Sequence, residues 1–100
     1  MNPEDWVQVL RALADKTRLR MIRALLDQDL TVTELAEKLD VSQYNISKHL
    51  RVLREAKIIR ASKQGTYTYC RLAREVRQRV STHPHALDFG CCMFRFDEMN

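Results

Sequence analysis

The chain has 100 residues, with 17 Lys and Arg against 13 Asp and Glu and a formal net charge of +4. This length suggests one domain with a small core, which pairing with a second copy would enlarge. The positive charge favours a polyanionic partner. No apolar run of about 18 residues is present, so we expect no membrane span. Residues 1–5 are acidic and lack the regions of a signal peptide, so we expect a cytoplasmic protein.

Residues 1–27 predict two helices. Asn2 is expected to cap the first, with Pro3 at its first helical position. Apolar residues then recur at helical spacing: Trp6, Val9, Leu10 and Leu13. Asp15 is expected to cap the second helix, which has the apolar stripe Leu19, Ile22 and Leu26. We interpret its basic flank as a solvated face, with phosphate contacts as the alternative. This flank consists of Lys16, Arg18, Arg20 and Arg23.

The middle of the chain predicts a helix-turn-helix followed by a basic β-hairpin. Residues 33–39 and 42–56 are the two helices, joined by a tight turn. Residues 58–61 and 66–71 are the hairpin arms, with Gln64-Gly65 at the tip and residues 30–32 as an added short strand. The alternation of Tyr67 and Tyr69 with threonines is typical of a half-buried strand. The fold class is therefore mainly α with a small β-hairpin (α+β), and this order of elements places one helix in a DNA major groove.

The second of these helices has one apolar face, formed by Ile46, Leu50 and Leu53. Gln, Lys and Ser on its opposite face are side chains that hydrogen-bond base edges. Arg51 and the hairpin tip are expected on phosphates or the adjacent minor groove. The predicted DNA-binding residues are Gln43, Tyr44, Ser47, Lys48, Arg51, Lys63 and Gln64. A protein–protein adaptor without DNA is the alternative. His49, beside the apolar face, is expected to be a hydrogen-bonded packing residue.

Residues 73–80 predict a short helix that ends before Pro84. The tail beyond it is apolar and partly alternating, so we expect it to pack on its own subunit or on a partner. We therefore divide the chain into a DNA-binding and dimerisation domain at residues 1–82 and a C-terminal tail at residues 83–100, which carries the Cys91-Cys92 pair.

Two segments resemble the ArsR/SmtB family of winged helix-turn-helix transcriptional repressors. Residues 13–22 (LADKTRLRMI) look like its second-helix signature, and residues 41–53 (VSQYNISKHLRVL) look like its recognition helix. The likeness covers about residues 4 to 80. It implies a winged helix-turn-helix homodimer, paired through its first and last helices, that represses transcription at an inverted-repeat operator and leaves DNA when an inducer binds. The groove-contacting positions of the family match Gln43, Tyr44, Ser47 and Lys48.

The cysteines depart from the best-known family patterns. Residues 33–39 lack the cysteine pair of the arsenic and cadmium sensors, and residues 74–80 lack the ligand set of the zinc sensors. Some members are similar in placing sensing cysteines near the C-terminus, as Cys91 and Cys92 are here. Adjacent thiolates suit a thiophilic ion, and trivalent arsenic or antimony takes three sulfurs, with Cys70 as the third candidate. We favour a repressor that requires no cofactor and is released by As(III) or Sb(III) at these cysteines.

Other readings of the cysteines remain open. Zn²⁺ would use Cys91 and Cys92 with one or both of His83 and His85, although both histidines are expected at the surface. Cd²⁺ is a further candidate inducer. A redox or persulfide sensor would join Cys70 to a tail cysteine. With no inducer, the cysteines are packing residues of a DNA-binding regulator. A thiol reductase is disfavoured because Cys91 and Cys92 are adjacent, whereas the cysteines of a redox helix motif have two residues between them. The sequence also has no glycine-rich phosphate-binding loop, so we expect no enzyme.

Overall fold

The computed structural model describes residues 2–78, 86–89 and 92–96. Its elements in chain order are α1 (Pro3–Leu13), α2 (Lys16–Asp27), β1 (Leu30–Thr31), α3 (Val32–Leu39), α4 (Gln43–Glu55), β2 (Ile59–Gln64), β3 (Tyr67–Leu72), α5 (Arg74–Arg77), β4 (Ala86–Asp88) and β5 (Met93–Arg95). This arrangement confirms the predicted fold class, mainly helical with a small β-hairpin. None of the helices in the described ranges is long and apolar enough to cross a membrane.

Side-chain caps determine where the four long helices begin. The side chains of Asn2, Asp15 and Ser42 each accept a hydrogen bond from a backbone N–H in the first turn of α1, α2 and α4. The caps at Asn2 and Asp15 are confirmed as predicted. Thr31 and Glu34 form a reciprocal capping box at the start of α3, with N···O distances of 3.1 and 2.9 Å. Because Thr31 ends β1 and caps α3 at once, α3 begins one residue earlier than predicted.

The predicted short strand and hairpin form a three-stranded antiparallel sheet in the order β1-β3-β2. The first hairpin arm is longer than predicted because it continues to Gln64, and the second arm is shifted by one residue toward the C-terminus. Gln64 pairs with Tyr67 across the tip. Gly65 there has φ +65°, a left-handed value that tight hairpin turns require and that glycine adopts without strain. The alternation of β3 is confirmed, but its buried side is formed by Cys70 and Leu72, and Tyr67 and Tyr69 point outward.

The core lies between the helices and the inner face of this sheet. Its fully buried members in the helix-turn-helix part are Met21, Ile22, Leu25, Leu35, Ile46, Leu53, Ile58 and Ile59. Val9 and Leu13 anchor α1 to this core. The other predicted apolar residues of α1, Trp6 and Leu10, stay 38% and 46% exposed. The apolar periodicity of α1 therefore covers two faces, of which one protomer buries only one.

The last described helix, α5, is short and is tied to α2. It spans four residues and is followed by the cap residue Gln78, and the predicted continuation to Val80 lies outside the described residues. The Arg77 guanidinium donates to the carbonyl oxygens of Leu25 and Leu26 at 2.7 and 3.2 Å. These carbonyls belong to the last turn of α2, where backbone acceptors lack helical partners and a cation is favoured.

The described part of the tail packs on its own subunit, one of the two predicted alternatives. Strands β4 and β5 pair in antiparallel fashion, with Leu87 opposite Phe94. Leu87, Phe89 and Phe96 are buried in the same core as the helices. Arg23 of α2 donates to the Phe96 carbonyl at 3.1 Å. The predicted domain boundary at residue 82 lies outside the described residues.

Replacing Phe96 with alanine tests this packing. The Phe96 side chain is 1% exposed, so Phe96→Ala should lower the free energy of unfolding by about 3 kcal/mol or more, measured by urea denaturation. Met93→Ala is the matched control in the same hairpin. Met93 is 61% exposed, and its loss should change stability by less than about 0.5 kcal/mol. Equal effects of the two substitutions would show that the tail adds nothing to the hydrophobic core.

Candidate nucleic-acid interface

A tight turn fixes the angle between α3 and α4. Asp40 ends α3 with φ 55°, a left-handed conformation that Asp tolerates. The next backbone N–H, of Val41, donates to the Ala36 carbonyl at 3.0 Å. Ser42 then caps α4 through a 3.1 Å hydrogen bond from the Asn45 N–H. The second helix of the motif therefore starts at a position that local hydrogen bonds hold in place.

One face of α4 is buried and the opposite face is solvent-exposed. Ile46, Leu50 and Leu53 are at most 5% exposed. The predicted contact residues of α4 are all exposed: Gln43, Tyr44, Ser47, Lys48 and Arg51. The Lys48 ammonium lies 5.6 Å from the centre of the Tyr44 ring, within cation–π range. The structure thus brings the predicted base-reading residues together on the first two turns of α4, and their contact with DNA stays a prediction.

The charge of this face is positive. Glu55, in the last turn, is the single acidic residue of α4, and its carboxylate lies 3.3 Å from Nε of Arg51. Both side chains are largely exposed, and an exposed i,i+4 pair contributes only about 0.3–0.5 kcal/mol. A phosphate can therefore replace Glu55 as the partner of Arg51 at little cost.

The hairpin presents a second basic surface. Lys63 and Gln64 are exposed at the end of β2, directly before Gly65. The two hairpin strands contain no acidic residue. At their other end Arg60 lies opposite Arg71 in the β2–β3 register. The tip is thus basic and exposed, as a contact to phosphates or a minor groove requires.

Arg18 is not part of a solvated flank, although the basic residues of α2 favour that interpretation. Its Nη1 lies 3.2 Å from His49 Nδ1 on α4. Its Nε donates to the Ala12 carbonyl at 2.6 Å. His49 is indeed a hydrogen-bonded packing residue, as predicted. Because Arg18 and His49 are 31 positions apart, no local periodicity in the sequence could indicate their contact.

Asp15 adds a negative charge to this contact. Its carboxylate accepts the Arg18 backbone N–H at 3.0 Å and lies 3.7 Å from His49 Nδ1. Desolvation raises the pKa of Asp15, but the Arg18 N–H and the nearby His49 and Arg18 side chains outweigh it, and the net pKa is lowered. The carboxylate that caps α2 therefore stays ionised at neutral pH.

Of the three predicted sulfur ligands, the structure describes Cys70 and Cys92. Cys70 is fully buried in β3, and burial raises its pKa to about 11, against a smaller opposing effect of Arg54. Cys92 is half-buried and packs against the core. Cys91, His83 and His85 lie outside the described residues. Within the ranges that are described, no three His, Cys, Asp or Glu side chains cluster as a metal site would. The three-sulfur site thus stays a prediction.

Residues 15–61 match the family model "Bacterial regulatory protein, arsR family". KmtR of Mycobacterium tuberculosis, an HTH-type transcriptional regulator, is 41% identical over 75 residues, which cover 74% of this chain and 58% of KmtR. The arsenical resistance operon repressor of Bacillus subtilis is 34% identical over 90 residues, covering 88% of this chain and 80% of that protein. The chain spans a little over half the length of KmtR and of two other similar curated relatives.

Solved structures agree with this match. HlyU from Vibrio cholerae superposes with a TM-score of 0.69 at 32% identity, covering 78% of this chain and 88% of HlyU. The homodimeric winged helix-turn-helix DNA-binding domain of Mb0332 from Mycobacterium bovis gives a TM-score of 0.71 at 26% identity, covering 76% of this chain and 70% of that domain. The winged helix-turn-helix fold is therefore confirmed. These relatives are transcriptional regulators and not enzymes, in agreement with the prediction that the chain is not an enzyme. The chain belongs to the ArsR family of bacterial regulatory proteins.

Proposed function

We propose that the protein is a homodimeric, sequence-specific repressor that binds double-stranded DNA at an inverted-repeat operator. The observation that supports this most directly is the exposed face of α4. Gln43, Ser47 and Lys48 are polar, exposed and grouped on its first two turns. A soluble helix needs no such combination for folding, whereas the first turns of a recognition helix meet base edges in a major groove.

Each side chain has a role that suits its chemistry. Gln43 and Lys48 hydrogen-bond adenine and guanine edges, and Ser47 reaches either kind of base. Tyr44 contacts a thymine methyl group or a phosphate. Arg51 lies further along α4 and contacts the phosphate backbone. The wing residues, Lys63 and Gln64, contact phosphates or the minor groove beside the site.

Dimerisation is supported by the exposed apolar face of α1. Trp6, Val7 and Leu10 lie within one turn of each other and are 38–46% exposed. Grouped exposed apolar residues of this kind mark association surfaces. A second copy would cover them and bring two α4 helices to successive major grooves, about 34 Å apart. The relative Mb0332, whose domain is homodimeric, supports the same arrangement. Binding to operator DNA also agrees with the expected cytoplasmic location.

Lys48→Ala tests the DNA-binding face. A duplex selected by the wild-type protein from a random-sequence library serves as the operator probe. Loss of a base contact should weaken binding by about 1–3 kcal/mol and reduce discrimination at one position of each half-site. Fluorescence anisotropy at several salt concentrations measures both effects.

Lys57→Asn is the charge-matched control for Lys48→Ala. Lys57 lies just beyond the far end of α4 with φ 61°, a conformation that Asn also adopts readily. Its loss should leave operator discrimination unchanged. The DNA-reading role of α4 is refuted if the two variants weaken binding equally.

A promoter–reporter assay determines whether the protein represses or activates transcription. Deletion of the gene should raise reporter expression if the protein is a repressor, whereas it would lower expression if the protein were an activator.

We further propose that As(III) or Sb(III) is the inducer and that Cys91 and Cys92 bind it. Adjacent thiols suit a thiophilic ion, and the Bacillus relative is an arsenical resistance operon repressor. Cys70 would be the third sulfur. Because Cys70 is fully buried with a raised pKa, its participation requires the inner face of β3 to open. Such a movement would displace the hairpin whose tip is proposed to contact DNA, which gives a route from inducer binding to release.

The burial of Cys70 predicts slow reaction with thiol reagents. In a Cys91→Ser/Cys92→Ser variant, Cys70 is the remaining cysteine of the chain. We expect it to react with a chromogenic disulfide at least about a hundredfold more slowly in the native protein than in urea, because attack needs an exposed thiolate. The matched Cys70→Ala variant, which keeps both tail cysteines, measures their own rate. Rapid native reaction of Cys70 would contradict its position inside the core.

The inducer is tested by titrating the protein–operator complex. Arsenite, antimonite, Zn²⁺, Cd²⁺, an oxidised thiol and a persulfide donor are added in turn. We expect arsenite or antimonite to release the wild-type protein, and the Cys91→Ser/Cys92→Ser variant to stay bound. Loss of the response in Cys70→Ala as well would identify the third sulfur. Release by zinc, cadmium or oxidant alone would replace the arsenic hypothesis with that sensor, and no release at all would leave a regulator without an inducer.

A further inference from the structure

A single guanidinium joins the first helix to the proposed recognition helix. The Nε and Nη2 atoms of Arg18 donate to the carbonyl oxygens of Ala12 and Arg11, at 2.6 and 3.2 Å. Both carbonyls belong to the last turn of α1. The remaining Nη1 lies 3.2 Å from Nδ1 of His49, in the middle of α4. Arg18 thus contacts the helix with the exposed apolar face and the helix with the exposed polar face at once.

The chemistry of this contact fixes the direction of its hydrogen bond. A guanidinium donates and never accepts. In this hydrogen bond the lone pair of His49 Nδ1 is therefore the acceptor. Asp15 supports the arrangement from the other side, because its carboxylate caps α2 through the Arg18 N–H at 3.0 Å. The backbone and the side chain of Arg18 are then both held.

The Arg18–His49 hydrogen bond restricts small rotations of α4, which apolar packing alone does not prevent. The apolar residues Ile46, Leu50 and Leu53 hold α4 against the core, but hydrophobic attraction has no preferred direction. The small rotations of α4 that this attraction permits would shift Lys48, which adjoins His49, relative to a base edge. Hydrogen bonds weaken steeply with misalignment. The Arg18–His49 contact therefore resists the rotation that would spoil base contacts.

We propose that Arg18 and His49 are positioning residues for DNA recognition: their hydrogen bond fixes the rotation of α4 relative to α1. In a dimer paired through α1, this contact also sets how the two α4 helices face the two half-sites. The inference rests on the proposed DNA-binding function. It predicts that Arg18 affects discrimination between DNA sequences although it contacts no DNA.

The test compares operator duplex with scrambled duplex for four variants. Arg18→Lys keeps the charge but cannot bridge both helices, and His49→Ala removes the acceptor. Each should weaken operator binding about tenfold, as expected for a lost hydrogen bond to a charged group. Binding to scrambled duplex should stay within about twofold, because the phosphate-directed charge is unchanged. His49→Gln, whose amide oxygen accepts from Arg18, should restore most of the operator affinity.

The fourth variant, Arg18→Lys/His49→Ala, measures coupling. If the two residues act through one contact, the double variant should bind operator no more weakly than either single variant. Urea unfolding of every variant accompanies the binding data. A purely structural role would lower the unfolding midpoint and weaken binding to both duplexes equally, which would overturn the proposal. So would additive losses, or unchanged operator binding. If the wild-type protein itself does not distinguish the duplexes, the proposed DNA-binding function fails instead.

Discussion

The amphipathic packing of α4 is the constraint on which the rest of the structure depends. Ile46, Leu50 and Leu53 are buried at i, i+4 and i+7, and each such side chain contributes about 1.5–3 kcal/mol. A quarter-turn of α4 about its own axis would expose these three side chains and bury polar groups without partners. The same energy that folds the helix-turn-helix therefore decides which residues reach solvent. In this chain those residues can read bases, so the interface is a consequence of the core.

Three arginines add polar links to this packing, and two of them bind carbonyls at helix ends. Arg18 binds carbonyls at the end of α1, Arg77 binds carbonyls at the end of α2, and Arg23 binds the Phe96 carbonyl of the tail. Carbonyls at a helix C-terminus lack intrahelical donors and carry partial negative charge, so a guanidinium satisfies both needs. The net charge of +4 thus overstates the positive surface available to DNA. The basic face must be located residue by residue, because composition does not distinguish an arginine that binds backbone carbonyls from one that can contact a phosphate.

Local signals predicted the helices, their caps and the hairpin, because helical periodicity and capping act within a few residues. The early start of α3 could also have been predicted, since Thr31 and Glu34 have the spacing of a capping box. The outward direction of Tyr67 and Tyr69 could not: alternation shows that a strand has two faces, and only the helices packed on β3 decide which is buried. The contact between Arg18 and His49 likewise depends on how α1, α2 and α4 meet. For α4 itself, where apolar and polar faces are unambiguous, sequence was sufficient to identify every exposed candidate.

The proposed inducer site has two physical routes to α4, and they differ in what must move. A route through Cys70 requires a fully buried thiol to leave the inner face of β3, so part of the binding energy of the inducer is used to open the core. A route through the tail involves Cys92, which is half-buried where its carbonyl accepts the Phe89 N–H at 2.9 Å. The tail contacts α2 through Arg23 and Phe96, and Arg18 on the same helix meets His49 of α4. A tail sensor therefore needs only to shift α2 slightly to disturb the directional contact of α4, which is the less costly of the two couplings.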